Sequence, residues 1–74
     1  MVQLLVLIGV EKISVFDIVK KLSKMPEARE VFPTFGRFDA IAFMDVEKRE
    51  DIGPLVKRIS ALDGVLKTET LVEL

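Results

Sequence analysis

Residues 34–43 read Thr-Phe-Gly-Arg-Phe-Asp-Ala-Ile-Ala-Phe and lie near the middle of a chain of 74 amino acids. Glycine adopts positive φ at little cost, so Gly36 between apolar neighbours is typical of a turn that joins two strands. We therefore predict that one strand ends before Gly36, that the chain turns tightly at Gly36-Arg37, and that a second strand follows. This hairpin fixes the order of the remaining elements.

Asp39 is the unusual residue of this stretch. Acidic residues are disfavoured inside strands, yet the pattern places Asp39 just inside the second strand of the hairpin, beside Phe38 and Ala40. Two interpretations remain open from the residues alone. Either the carboxylate accepts backbone hydrogen bonds from the turn, or it is available to a cationic ligand.

Four strands are predicted outward from the hairpin. The nearly continuous apolar run Val2–Ile8 indicates a strand buried on both faces. Residues 30–35 form the second strand, which Pro33 places at a sheet edge because proline cannot donate to a neighbouring strand. Residues 38–46 form the third strand. Residues 65–74 form the last, with Thr68 and Thr70 on one face.

Two helices are predicted between the strands. Ser14 and Asp17 resemble a capping box at the start of the first helix, which Pro26 ends. The second helix begins at Asp51, because that start places Pro54 in the first turn, where its missing N–H is tolerated. Residues 18–25 and 55–62 repeat one pattern, and the same offset aligns residues 4–7 with 41–44.

The order of elements is therefore βαββαβ, the ferredoxin-like plan of the α+β class, in a single domain over residues 1–74. We expect an antiparallel sheet with strand order 4-1-3-2 and both helices on one face. The opposite face would expose a large apolar patch, which predicts a homodimer that covers it.

Composition excludes several classes of function. The chain has 11 basic and 12 acidic residues, a net charge of −1, and no His, Cys or Tyr, which argues against direct nucleic-acid binding, zinc sites and most nucleophile–base pairs.

Acidic residues cluster at Asp45, Glu47, Glu50 and Asp51. These residues could hold a hard cation. The simpler interpretation is that they precede the second helix, where negative charge interacts favourably with the helix dipole. We predict no enzyme, cofactor or metal, and, without a membrane-length apolar segment, a cytoplasmic protein.

The hairpin motif Gly-x-x-Asp at residues 36–39, together with the terminal strand Gly64-Val65-Leu66-Lys67-Thr68-Glu69-Thr70, resembles the effector domain of Lrp/AsnC-type transcriptional regulators, also called the RAM domain. The resemblance covers essentially the whole chain. It implies dimers of the α+β-barrel type, paired through their sheets, that associate into larger assemblies. A free amino acid would bind between dimers near the hairpin.

The resemblance implies a ligand site formed by Gly36, Arg37, Phe38 and Asp39, with Thr68 and Thr70 as neighbours. For the two threonines, packing as β-branched strand residues is the alternative. Phe35 is bulky for a position beside a pocket and is expected to occupy part of it. The helix-turn-helix domain of the family is missing, which implies a stand-alone version that works with a full-length regulator.

Three functions follow as hypotheses. The first is an amino-acid-sensing, oligomer-forming domain related to Lrp/AsnC regulators. The second is a purely structural oligomerisation module, in which the hairpin only fixes subunit contacts. The third is a small enzyme of the dimeric α+β-barrel type, which the lack of His or another strong base disfavours.

Overall fold

A computed structural model describes all 74 residues. It contains four strands and two helices, each helix preceded by a short 3-10 turn at Lys12–Ser14 or Arg49–Asp51. The elements, in chain order, are β1 (Val2–Val10), α1 (Val15–Ser23), β2 (Ala28–Pro33), β3 (Ala40–Val46), α2 (Ile52–Ser60) and β4 (Val65–Val72). No helix has the length and apolar character needed to cross a membrane.

The four strands form one antiparallel sheet in the order β2-β3-β1-β4. This is the predicted order 4-1-3-2 read from the other edge, so the ferredoxin-like fold is confirmed. Strand β1 pairs with β3 so that Leu4 lies opposite Met44, and with β4 so that Val6 lies opposite Thr70. Strand β2, which ends at Pro33, is an edge strand as predicted.

The core lies between the sheet and the two helices. Alternate residues of β1 and β3 point toward the helices, because side chains along a strand alternate between its two faces. The helices contribute apolar residues spaced along one stripe. The buried core consists of Leu4, Val6, Ile8, Val10, Ile18, Leu22, Ala40, Ala42, Met44, Val46, Leu55 and Ile59.

The other face of the sheet has no cover within the chain, and we call it the open face. Leu5, flanked by Phe43 and Leu71, lies at its centre, and Leu7 lies opposite Ile41 in the next row. Leu71 is 53% exposed. The expectation that β1 is buried on both faces is therefore wrong for a single chain, because both helices pack on the same side.

The helix starts differ in detail from the prediction. Ser14 is the residue that precedes α1, but its side chain forms no capping hydrogen bond, so the predicted capping box is wrong. The 3-10 turn at Lys12–Ser14 starts the helical path one turn earlier, and Asp17 instead pairs with Lys21 at 3.1 Å. For α2 the first residue is Ile52, one position after the predicted start at Asp51, and the 3-10 turn at Arg49–Asp51 precedes it.

Two glycines offer a matched test of the packing. Gly64 has φ +97°, and a Cβ at this position would lie 2.7 Å from the Ser14 Cβ; Gly53, in α2, has open space around it. We expect Gly64→Ala to lower the free energy of unfolding by about 1–3 kcal/mol, since backbone strain and a steric clash combine. Gly53→Ala should raise it by about 0.5 kcal/mol through helix propensity. Urea denaturation measures both, and equal effects would contradict the placement of Gly64.

Candidate functional site

The hairpin between β2 and β3 is wider than predicted. Strand β2 ends at Pro33 and β3 begins at Ala40, so the tight turn at Gly36-Arg37 is wrong and residues 34–39 form a loop. The loop is closed by Thr34, whose backbone N–H donates to Asp39 O at 2.9 Å and whose hydroxyl donates to Phe38 O at 2.8 Å. Gly36, with φ +133°, lies within the loop with open space around it.

Asp39 attaches this loop to the end of β1. Its backbone N–H donates to Ile8 O at 2.9 Å, and its Oδ2 accepts the backbone N–H of Val10 at 2.7 Å. The carboxylate thus bonds the neighbouring strand and not its own turn, and Asp39 lies just before β3 instead of inside it. The second carboxylate oxygen, Oδ1, has no hydrogen bond within the chain.

Gly9 lies between the two β1 residues that Asp39 contacts, and Lys67 of β4 lies opposite it. A Cβ on Gly9 would lie 2.8 Å from the Lys67 Cγ, so the lysine stem runs directly over the glycine backbone. The Lys67 Nζ reaches 5.2 Å from the centroid of the Phe38 ring, a cation–π distance. Neither Gly9 nor Lys67 was predicted from the sequence to belong to the ligand site. An isolated glycine inside an apolar strand was the available signal, since it marks close approach by another group.

The other predicted site residues divide into two sets. Arg37 and Phe35 are both exposed on the loop of the single chain, and the occupation of part of an inter-dimer pocket by Phe35 stays a prediction. Thr68 and Thr70 lie opposite Ile8 and Val6, whose side chains are buried under the helices. Both threonines are therefore half-buried on the helix-facing side of β4, while Lys67 lies on the open face. Residues 36–39 lie together in the loop, while the side chains of the two threonines lie on the opposite face of the sheet from Lys67.

A concave region lies at the opposite end of the sheet from the hairpin. It is a groove of about 430 Å³ lined by Pro26, Glu27, Asp45, Val46, Glu47, Asp51, Pro54 and Arg58. Its charges are largely paired: Arg58 binds Glu27, and Arg29 lies 3.6 Å from Asp45. No three acidic side chains lie close enough together to hold a metal ion.

The ion pair in this groove gives a pH-dependent prediction. The Arg58 guanidinium, by hydrogen bonding, holds the pKa of Glu27 below its ordinary value of 4.5. A depressed pKa in the folded state stabilises the fold above pH 4.5, and this contribution is lost as the pH falls through the folded pKa. We expect Glu27→Gln to cost roughly 0.2–1 kcal/mol at pH 7.

The stabilities of the two proteins should then approach each other as the pH falls below 4.5 and through the folded-state pKa of Glu27, which thermal denaturation across the pH range measures. Lys21→Gln, which removes the exposed pair with Asp17, is the control for a general charge effect. If the difference in stability between wild type and Glu27→Gln does not shrink as the pH is lowered from 7 through the acidic range below 4.5, the role assigned to the Glu27 carboxylate is wrong.

The chain is thus a small α+β domain whose Gly-x-x-Asp loop is fixed at the end of β1. Comparisons with known proteins identify its family. The family model of the Lrp/AsnC ligand binding domain matches residues 3–74. The chain therefore belongs to the Lrp/AsnC ligand-binding domain family, which confirms the family predicted from the hairpin and the final strand. The match is to a ligand-binding domain and not to a catalytic one.

Solved structures agree with this assignment. TTHA0845 from Thermus thermophilus is 28% identical and superposes with a TM-score of 0.95, over 100% of this chain and 94% of that one. AsnC from Escherichia coli is 21% identical with a TM-score of 0.87, and the match covers 99% of this chain but 50% of AsnC. The transcriptional regulator NMB0573 from Neisseria meningitidis, solved with L-Met, is 17% identical with a TM-score of 0.87, over 99% and 49% of the two chains.

The last two likenesses, at these identities, show the shared fold only. A comparison with curated protein sequences gives no significant match.

Proposed function

We propose that this chain is an amino-acid-sensing and oligomer-forming domain that acts in transcriptional regulation, in the cytoplasm, without catalytic activity of its own. The observation that carries the proposal is the Gly-x-x-Asp loop, held at the end of β1 by Asp39, within a chain that matches the Lrp/AsnC ligand binding domain over residues 3–74. NMB0573, which shares the fold, was solved with L-Met. An amino acid is therefore the ligand class to test first.

The proposed ligand site consists of Gly36, Arg37, Phe38 and Asp39. An amino acid is a zwitterion, so its ammonium needs an anionic partner, which the free Oδ1 of Asp39 supplies. Backbone N–H groups around a glycine in a loop can receive a carboxylate. Thr68 and Thr70 remain proposed neighbours, and they would contact only a ligand that reaches the helix-facing side of β4.

The proposed assembly starts from a homodimer in which two chains cover each other's open faces. The apolar residues around Leu5 form a continuous surface across β3, β1 and β4, and such surfaces mark interfaces between proteins. Dimers would then associate so that the hairpin loops meet, and the amino acid would bind between dimers. The adjoining subunit would complete the pocket and select the ligand side chain.

In this proposal, a separate full-length Lrp/AsnC regulator co-assembles with this chain and binds the DNA. The chain spans half of E. coli AsnC but 94% of TTHA0845, so the fold occurs in chains of both sizes. The net charge of −1 supports the absence of a DNA-binding role for the residues themselves.

Calorimetric titration with each of the twenty standard amino acids tests the sensing function. We expect one amino acid, or a chemically related group, to release or absorb heat and to change the sedimentation coefficient of the assembly. An intact oligomer that gives no heat with any of the twenty would overturn the amino-acid-sensing role.

A purely structural oligomerisation module is the second candidate, and one observation favours it. The Asp39 Oδ2 already accepts the Val10 N–H, which is what a carboxylate that only fixes the hairpin would do. In that case, Asp39→Ala would change the size of the oligomer, and added amino acids would change neither the wild type nor the variant.

A further inference from the structure

We infer that Lys67 supplies the positive charge that binds the carboxylate of the amino-acid ligand at the hairpin loop. The inference rests on the proposed function and deepens it, because it adds a residue from β4 to a site otherwise formed by residues 36–39. It follows from how Lys67, Gly9, Phe38 and Asp39 are arranged at the end of β1.

The position of the Lys67 side chain is set by the strand pairing. Gly9 lies opposite Lys67, and a Cβ at Gly9 would lie 2.8 Å from the Lys67 Cγ and 3.0 Å from its Cε. Only glycine leaves room for the stem to run over β1 from the edge strand β4. The glycine therefore allows a cation that begins on β4 to reach the hairpin loop on the other side of β1.

The end of the side chain is held but not neutralised. The Lys67 Nζ lies 5.2 Å from the Phe38 ring centroid, an attraction worth about 0.5–1 kcal/mol at an exposed site. The three ion pairs of the chain involve Lys21, Arg29 and Arg58, and none involves Lys67. Glu69, two residues along the same face of β4, is also free of any pair. The ammonium therefore keeps its donors available beside the loop.

The charges around Gly9 match those of a zwitterion. Asp39 bonds Ile8 and Val10, the residues on either side of Gly9, while the Lys67 stem covers Gly9 itself. The Asp39 carboxylate is thus bonded to Val10, the Lys67 stem lies over the adjacent Gly9, and the Lys67 ammonium lies at the Phe38 ring next to Asp39. An amino acid placed between them would direct its ammonium to Asp39 and its carboxylate to Lys67, and charge-assisted hydrogen bonds of this kind are the strong ones.

The location is compatible with the proposed dimer. The apolar rows of the open face contain Leu5 and Leu7, and Lys67 lies in the following row, opposite Gly9. Lys67 is therefore at the rim of the open face, beside the hairpin loop, and not at its centre. A merely structural lysine would only hold Phe38 in place, so the experiment must separate binding from positioning.

The experiment compares an amino acid with its own carboxamide. After the twenty standard amino acids have been titrated, the tightest binder and the amide of that amino acid, which lacks the carboxylate charge, are titrated into wild type and Lys67→Met. Methionine retains most of the stem over Gly9 and removes the charge. We expect wild type to prefer the acid, and Lys67→Met to lose about 10- to 100-fold in affinity for the acid but almost nothing for the amide.

Lys67→Arg should restore most of the preference for the acid, and Lys20→Met, on the exposed side of α1, should change neither titration. If Lys67→Met binds the acid and the amide with wild-type affinities, Lys67 does not bind the ligand carboxylate, and the proposed function is unaffected. An equal loss for both ligands would assign Lys67 to positioning Phe38, and also overturns the inferred binding role of Lys67. A wild type that binds none of the twenty amino acids overturns the sensing function and this inference together.

Discussion

Replacing Leu5 by glutamate is expected to convert the proposed homodimer into a folded monomer. Leu5 is at the centre of the open face, directly between Phe43 on β3 and Leu71 on β4. It contributes nothing to the core under the helices, because its side chain lies on the opposite side of the sheet from Leu4 and Val6. The substitution therefore acts on the interface and not on the fold of the chain.

The expected effect is large because a twofold dimer contains each substitution twice. Placing a carboxylate without a partner in an apolar interface costs several kcal/mol for each ion. Even a total of roughly 4 kcal/mol, which is less than this cost summed over both ions, corresponds to about a 1,000-fold weaker dimer. Sedimentation velocity over a range of protein concentrations measures the shift, and circular dichroism shows whether the monomer retains its strands and helices.

The matched control for this experiment is Lys20→Glu, which adds negative charge on the exposed side of α1. It should leave the dimer intact, since both helices lie on the side of the sheet that the partner does not cover. If Leu5→Glu sediments as wild type does, the open face is not the dimer interface. If wild type itself is a stable monomer at micromolar concentration, the apolar face has some other role.

The sequence predicted the sheet well because the signal for it is repeated along the chain. Strand order and helix number follow from the apolar run of β1, from the pattern repeated at residues 18–25 and 55–62, and from Pro33 at the edge. Each of these patterns involves many residues whose burial is coupled, so local errors do not change the result. The family also followed from the sequence, because two motifs occur at the expected places in that order of elements.

The details of the site could not be predicted from local sequence patterns. The loop at residues 34–39 was predicted too narrow, because its closure depends on Thr34 contacting both Phe38 and Asp39, which no local pattern encodes. The bond from Val10 to Asp39 joins residues 29 positions apart. Lys67 became part of the site only through the register that places it opposite Gly9. Long-range pairing decides all three features.

Asp39 decides between the two proposed functions, and two substitutions at this position separate its two roles. Its Oδ2 accepts the partly buried N–H of Val10, and an unpartnered buried donor costs about 1–3 kcal/mol. Asp39→Ala removes the acceptor, so we expect it to lower the free energy of unfolding by that amount and to abolish amino-acid binding. A loss of binding in this variant alone would not show whether the charge or the hairpin geometry matters.

Asp39→Asn resolves this ambiguity because its amide oxygen can still accept the Val10 N–H while the negative charge is gone. We expect stability close to that of wild type, together with affinity for the amino acid reduced by about 10- to 100-fold, since hydrogen bonds to charged groups are worth about 1.5–3 kcal/mol. Urea denaturation and calorimetric titration on the same samples measure the two quantities. Wild-type affinity in Asp39→Asn would mean that the ligand's ammonium does not contact this carboxylate. If no wild-type titration gives heat and only Asp39→Ala changes the oligomer, the chain is an assembly module whose carboxylate serves to attach the hairpin to β1.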